Sequence, residues 1–160
     1  NQILSDLEAV SGRQGTVQAA ELVKIADPGL QTPGESYLWW LLHCILPDDL
    51  IKDLVTQFPI DLGWNTYFPD AALPQRKICF EFDGYGKIHE NEREFLRRQR
   101  ALQQAGWIPI RIDQGQLDNP DALVAFLLDE LRRNAILAHH PRGRLWRPLT
   151  RELLSPTRRF

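Results

Sequence analysis

TYFPDAALPQRKICFEFDG, residues 66–84, reads as two strands joined by a short turn. Residues 66–73 carry strand-forming side chains, with Pro69 implying an edge position or a bulge because it cannot donate to a ladder. Pro74, Gln75 and Arg76 supply the turn, and residues 77–83 make the strongest strand pattern in the chain, ended by Gly84 and Gly86. Alternate side chains of a strand share a face, so Glu81 and Asp83 point the same way as Cys79, while Ile78, Phe80 and Phe82 point to the other side and belong in the core. A turn centred on Gln75 and Arg76 closes these strands into a hairpin with Asp70 directly across from Glu81.

Three acids are thereby expected to converge. Two carboxylates at the end of a buried strand repel one another, and desolvation raises one pKa unless a cation compensates. A hard divalent ion such as Mg²⁺ takes oxygen ligands, often one or two carboxylates plus a substrate phosphate. Bound to Asp70, Glu81 and Asp83, such an ion would activate a phosphodiester for hydrolysis. The plainer alternative is that these acids meet solvent, or pair with Arg97, Arg98 or Arg100 of the next helix. Lys87, soon after the glycine turn, could bring an ammonium to the transition state or be an ordinary loop lysine. His89 is open in the same way, as a phosphate contact, a base or neither.

Outward from this core, residues 32–46 carry a helix-start signature, with Thr32 as cap, Pro33 at the first helical position and Glu35 three residues after the cap. Glu35 is explained equally by that capping position and by a role as an outer acid of the metal site. Tyr37, Leu38, Leu41, Leu42 and Ile45 form an apolar stripe that Trp39 and Trp40 widen, which requires deep burial. Residues 3–10 and 16–25 show two shorter helical patterns. Phe58, Ile60 and Leu62 alternate as a strand should. After the acidic strand, residues 90–105 predict a highly charged helix capped by Gly106, residues 107–112 a short strand, and residues 121–133 a closing helix. The expected order is helix, three-strand meander, helix, strand, helix.

The 160 residues suit one well-filled core. No apolar stretch approaches the roughly 20 residues that span a bilayer, and no charged-then-apolar leader opens the chain, so a soluble, cytoplasmic protein is expected. Cys44 and Cys79 lie in apolar runs and are too few for a disulfide scaffold or a zinc cage. The first residue is Asn1 rather than methionine, which points to a processed product or an excised portion of a longer polypeptide. Net charge is −2, but it is unevenly spread: residues 1–70 hold ten acids and three bases, and residues 131–160 one acid and eight arginines. That basic end, with Arg142, Arg144 and Arg147, can track phosphates or be a solvated tail. Trp146 among them can stack on a base or dock the arm onto the domain, and docking is favoured.

The sequence Pro69, Asp70, ten residues, then Glu81, Phe82, Asp83 and Gly84 resembles the PD-(D/E)XK nuclease superfamily. Within it, the chain is similar to the domain of unknown function 559 and to very-short-patch-repair endonucleases over residues 26–131. Five landmarks fall in order: the helix start at Thr32 to Glu35, the acidic strand end, the lysine after it, the arginine-rich helix ending at Gly106, and the strand holding Ile110, Arg111 and Ile112. The resemblance implies an α/β, restriction endonuclease-like fold, a mixed four-stranded sheet flanked by helices. It also implies a Mg²⁺- or Mn²⁺-dependent endonuclease in which Asp70 and Glu81 ligate metal, Glu35 assists and Lys87 is the electrostatic helper. The superfamily lysine two residues after the glutamate is Asp83 here, so either Asp83 is a third ligand with Lys87 in the lysine's place, or the site is impaired.

Read this way, residues 1–30 are a helical lead-in, 31–134 the endonuclease-like core and 135–160 a basic arm. DNA is the expected partner in preference to RNA, held by Arg97, Arg98, Arg100, Arg142, Arg144 and Arg147, and relatives imply an upstream winged-helix module. The alternative is a catalytically silent nucleic-acid-binding or protein-interaction module on the same fold.

Overall fold

The alternation over residues 78–83 produces the strand it predicts. In a computed structural model that describes residues 2–9, 16–83, 92–141 and 146, the elements run α1 (Gln2–Ala9), α2 (Thr16–Ile25), α3 (Pro33–Ile45), α4 (Asp48–Ile51), β1 (Ile60–Asp61), β2 (Thr66–Tyr67), β3 (Ala71–Leu73), β4 (Ile78–Asp83), α5 (Glu92–Gln104), β5 (Ile108–Asp113) and α6 (Pro120–Arg133). Lys87, His89, Arg142, Arg144 and Arg147 lie outside the described residues.

β3 and β4 pair antiparallel with Ala71 opposite Phe80, Ala72 opposite Cys79 and Leu73 opposite Ile78. The ladder begins at Ala71, and Asp70, just before it, reaches β4 through its side chain, which accepts from Phe82 N–H. The turn itself is a 3-10 segment, Pro74–Arg76, closed by Lys77 in the left-handed region at φ 52°. β4 then pairs in parallel with β5, Ile78 to Ile108 through Asp83 to Asp113. A parallel neighbour needs a crossover, and α5 provides it.

The chain is mixed α/β, but the expected meander and four-stranded sheet are corrected. Among the described residues there is a mixed three-stranded sheet in the order β3-β4-β5 and a separate two-stranded sheet, β1-β2. Pro69 is the physical reason: it splits the predicted strand over 66–73, so β2 ends at Tyr67 and β3 begins at Ala71. The segment before β1 pairs with the sheet through an isolated bridge between Val55 and Ala72, and its Leu54 packs in the main core with β3.

Both faces of β4 are covered. Ile78, Phe80 and Phe82 join the main core with α3, Ile110 and Ile112 of β5, and Leu123, Leu127 and Leu131 of α6. On the other face Cys79 packs with Ile60, Ala72, Leu102 and Trp107 under α5 and the β1-β2 hairpin. Leu41 and Leu42 are fully removed from water, each contributing about 1.5–3 kcal/mol. The stripe of α3 is accordingly buried almost all round, Trp39 and Trp40 included.

Capping chemistry sets the helix ends. Glu35 N–H donates to Thr32 Oγ1 (3.2 Å) and Gln31 N–H donates to Glu35 Oε2 (2.7 Å), so the start of α3 satisfies amides that would otherwise be orphaned. Asn119 accepts from Ala122 N–H (3.2 Å) at the start of α6. Gly106, at φ 78°, ends the α5 segment in the left-handed conformation that glycine tolerates. Trp146 lies parallel to Trp40, ring centroids 5.3 Å apart, which is the docked arrangement the sequence favoured.

α2 is tied to α3 by the Trp39 indole N–H donating to the Ile25 carbonyl (2.6 Å). Between these helices runs a cleft of about 410 Å³ walled by Leu22, Ile25, Leu30, Tyr37, Trp39 and Trp40. No helix among the described residues is long and apolar enough to cross a membrane.

The closest approach in the fold joins α3 to the end of β4. A Cβ on Gly34 would sit 2.0 Å from Phe82 Cε1, so only glycine lets the helix start rest on that ring. Gly34→Ala is expected to destabilise the chain by about 1–3 kcal/mol, measured by urea unfolding, with most of the loss recovered when Phe82→Leu is added. A second expectation concerns acid. Burial lowers the His43 pKa below 6.5, only partly opposed by its hydrogen bond to the Trp39 carbonyl. Protonation therefore favours the unfolded chain, and stability intact above pH 6.5 falls as pH drops through the folded value. His43→Leu should show a flatter fall in unfolding free energy across that range.

Candidate active site

Glu81 occupies the inner face of β4 beside Cys79, and its residue is 2 % exposed. Three elements bring polar groups to it. Parallel register sets Arg111 of β5 next to Glu81, and Arg111 Nε lies 3.6 Å from Glu81 Oε2. The crossover helix α5 turns Arg98 inward, with Nη2 3.8 Å from the same oxygen. β2 supplies Tyr67, whose phenol is near enough to Glu81 for the two to interact. The two arginines attract by charge at separations beyond an ordinary hydrogen bond.

The other oxygen, Glu81 Oε1, is buried and has no hydrogen-bond partner among the described residues. An unsatisfied buried carboxylate oxygen is among the costliest features a fold can hold. It calls for an ion, water or substrate.

Aromatic rings fix the cations. The Arg111 guanidinium sits 4.1 Å from the Phe95 ring centre, and that of Arg98 sits 4.9 Å from Tyr67. Such stacking on aromatic faces is favoured for guanidinium groups and restricts their motion. Tyr67 is held neutral: burial first, then the charges of Glu81 and Asp70, push its phenol far above the ordinary 10, against the opposing pull of Arg98. It is not a base at neutral pH. Burial, with a smaller contribution from Glu81, likewise pushes the Cys79 thiol up to about 12, so Cys79 is no nucleophile near neutrality.

The expected acids are brought to one end of the sheet, but in different states. Asp70 accepts from Phe82 N–H through Oδ2 (2.6 Å), tying the approach to β3 onto β4. Asp83 is engaged by Arg111 through Nη2 and Oδ2. The arginine pairing is the plainer of the readings open to a strand-end acid, and it engages one oxygen of the Asp83 carboxylate. Among the described residues no three His, Cys, Asp or Glu side chains form a metal-ligand group. Glu35 is buried at the start of α3 with Oε2 on the Gln31 amide, the capping role of its two readings.

The arginine run of α5 divides. Arg98 shares the inward face with Phe95 and Leu102, whereas Arg97 and Arg100 are exposed on the outward one, so Arg98 is not part of an exposed nucleic-acid surface. Arg111, Tyr67 and Phe95 escaped the reading of the sequence. Arg111 had a signal, since Ile110 and Ile112 turn to the core and leave it facing Glu81's side, but that inference needs the parallel register.

The donor set tests what cation would fit. Glu81 Oε1 and the Asp70 carboxylate offer hard oxygen donors, and the neighbouring Cys79 thiol stays protonated near neutrality, so the donor set suits a hard ion that keeps most of its waters. Arg111 and Arg98 already offset part of the negative charge.

Removing Arg111 should strand two acids at once. Arg111→Met is expected to lower stability by about 2–4 kcal/mol, and Glu81→Gln in that background should restore part of it. A double-mutant cycle by thermal or urea unfolding reads the coupling; strict additivity would show that Glu81 and Arg111 do not interact.

Compared with known protein families, curated proteins and solved structures, the chain matches none.

Proposed function

We propose that this chain is a restriction endonuclease-like nuclease that hydrolyses phosphodiester bonds of DNA with Mg²⁺ or Mn²⁺. The observation carrying this reading is the buried Glu81 Oε1 at the end of β4, which has no partner among the described residues, with the Asp70 carboxylate bonded to the Phe82 amide of the same strand. The order of motifs around it, resembling the PD-(D/E)XK superfamily, supports the same chemistry. Glu81 and Asp70 would hold the cation, which when bound supplies polarisation of the phosphoryl oxygen and a more acidic water.

The protein's own groups do the rest. Arg111, oriented by Asp83 and the Phe95 ring, presents a permanent cation beside Glu81. In this reading it takes the part that a lysine two residues after the glutamate plays in the superfamily and that Asp83 cannot. A fixed positive group at the developing phosphorane contributes in proportion to its preorganisation, and a stacked, ion-paired guanidinium is well preorganised. Tyr67 keeps a protonated phenol beside the Glu81 carboxylate. Arg98 counters the remaining charge and helps keep the buried Glu81 in place.

One observation favours the silent binding module. Asp83 and Glu81 already have arginine partners, and charge offset in that way reduces the need for a metal.

Cleavage decides between them. The purified chain, incubated with plasmid, single-stranded DNA and RNA in Mg²⁺, Mn²⁺ or chelator, is expected to cut DNA only with metal. Glu81→Gln should reduce the rate at least about a hundredfold, and Arg111→Ala by about 10²–10³, while Arg111→Lys retains part. DNA binding without cleavage under any metal would replace the nuclease with the binding module.

A further inference from the structure

α5 has two working faces. Its inward stripe of Phe95, Arg98 and Leu102 serves the site at Glu81. Its outward stripe, Arg93, Leu96, Arg97, Arg100 and Gln104, recurs every three or four residues and so forms a continuous band. The tip of the β1-β2 hairpin faces this band, and together they enclose a cleft of about 460 Å³ lined by Leu62, Trp64, Arg93, Arg97, Arg100 and Gln104 among others. We infer that this cleft binds single-stranded DNA, with a base stacked on Trp64 and phosphates on Arg97 and Arg100.

The first observation is Trp64 itself. It is 45 % exposed at a hairpin tip and, with Leu62 and the exposed Leu96 of α5, lines the cleft as a contiguous apolar patch rather than as a single ring. The Arg97 guanidinium lies 4.0 Å over the indole, which holds the ring by one face, so that a base stacks on the other.

The second is charge. Three arginines and no acid line the cleft, and among the described residues neither Arg97 nor Arg100 is ion-paired to a carboxylate. An aromatic platform beside unneutralised guanidinium groups is the arrangement that tracks an unpaired strand, because every base has a face to stack while each phosphate meets a cation. A duplex keeps its base faces within the stack and cannot use an indole in this way.

The third is the chemistry of the walls. Leu62, Leu96 and Ala101 are apolar and give sugar and base edges a dry wall beside the arginines. The inference deepens the nuclease reading and rests on it for the choice of a nucleic acid over other polyanions and of DNA over RNA; the cleft needs no metal.

The test uses a fluorescein-labelled oligothymidylate of about 12 nucleotides with the whole chain in chelator, followed by fluorescence anisotropy at several salt concentrations. Oligouridylate and a duplex of equal length are run beside it. Oligothymidylate should bind most tightly. Trp64→Ala should weaken it about tenfold, with Trp64→Phe restoring most of the affinity. Combining Arg97→Ala with Arg100→Ala should flatten the log–log salt slope by about 1.4.

Thermal melting checks that the variants fold, and Arg100→Glu offers an independent disruption should Trp64→Ala not fold. Unchanged affinity in Trp64→Ala, or tighter binding of the duplex or the RNA oligomer, overturns the proposal. Parallel cleavage assays separate it from the nuclease reading. Strand binding that depends on Trp64 without any metal-dependent cleavage removes the nuclease and keeps the cleft. Cleavage by a Trp64→Ala variant of undiminished affinity does the reverse.

Discussion

A carboxylate drawn almost wholly out of water at Glu81 is the constraint around which the rest is arranged. Desolvating such a group costs several kcal/mol, returned only if opposite charges and donors arrive from the surrounding elements. Here they come from three directions in sequence: a neighbouring parallel strand, the crossover helix between the two strands, and the separate hairpin. The pairing of β4 with β5, the rotation of α5 about its axis and the position of β2 are therefore mutually dependent. Apolar residues of similar volume can replace a buried ion pair with no loss of stability, so packing alone gives no reason for a charge at this position.

Much of this was legible from local pattern. The strand over 78–83, the cap at Thr32, the glycine end of α5 and the antiparallel register of β3 on β4 each follow from chemistry acting within a few residues. What escaped depends on longer-range geometry. Pro69 signalled a disruption in advance, but whether it would bulge one strand or separate two sheets depends on how residues 54–58 pass the edge of β3. The pairing of Arg111 with Asp83 depends on a parallel register that a crossover helix sets, and no residue near either one encodes it. Trp64 lies in a short loop whose neighbours give no hint that α5 will lie opposite.

The arginine run of α5 shows how composition misleads where geometry does not. Four residues carry Arg97, Arg98 and Arg100, and as a charge cluster they look equivalent. A helix turns 100° per residue, so one of them is carried under the helix into a buried ion pair while two remain in solvent. A single element thus serves both the carboxylate centre and the outer cleft, with Phe95 and Leu102 holding its rotation.

α2 has no fully buried side chain, although it walls one side of the α2–α3 cleft and receives the Trp39 indole bond. Elements with little burial open at free energies far below that of global unfolding. The amides of residues 16–25 should then exchange with solvent well before those of α3, and limited proteolysis should find its first internal cut there. The aromatic wall formed by Tyr37, Trp39 and Trp40 would be uncovered while the sheet stayed intact.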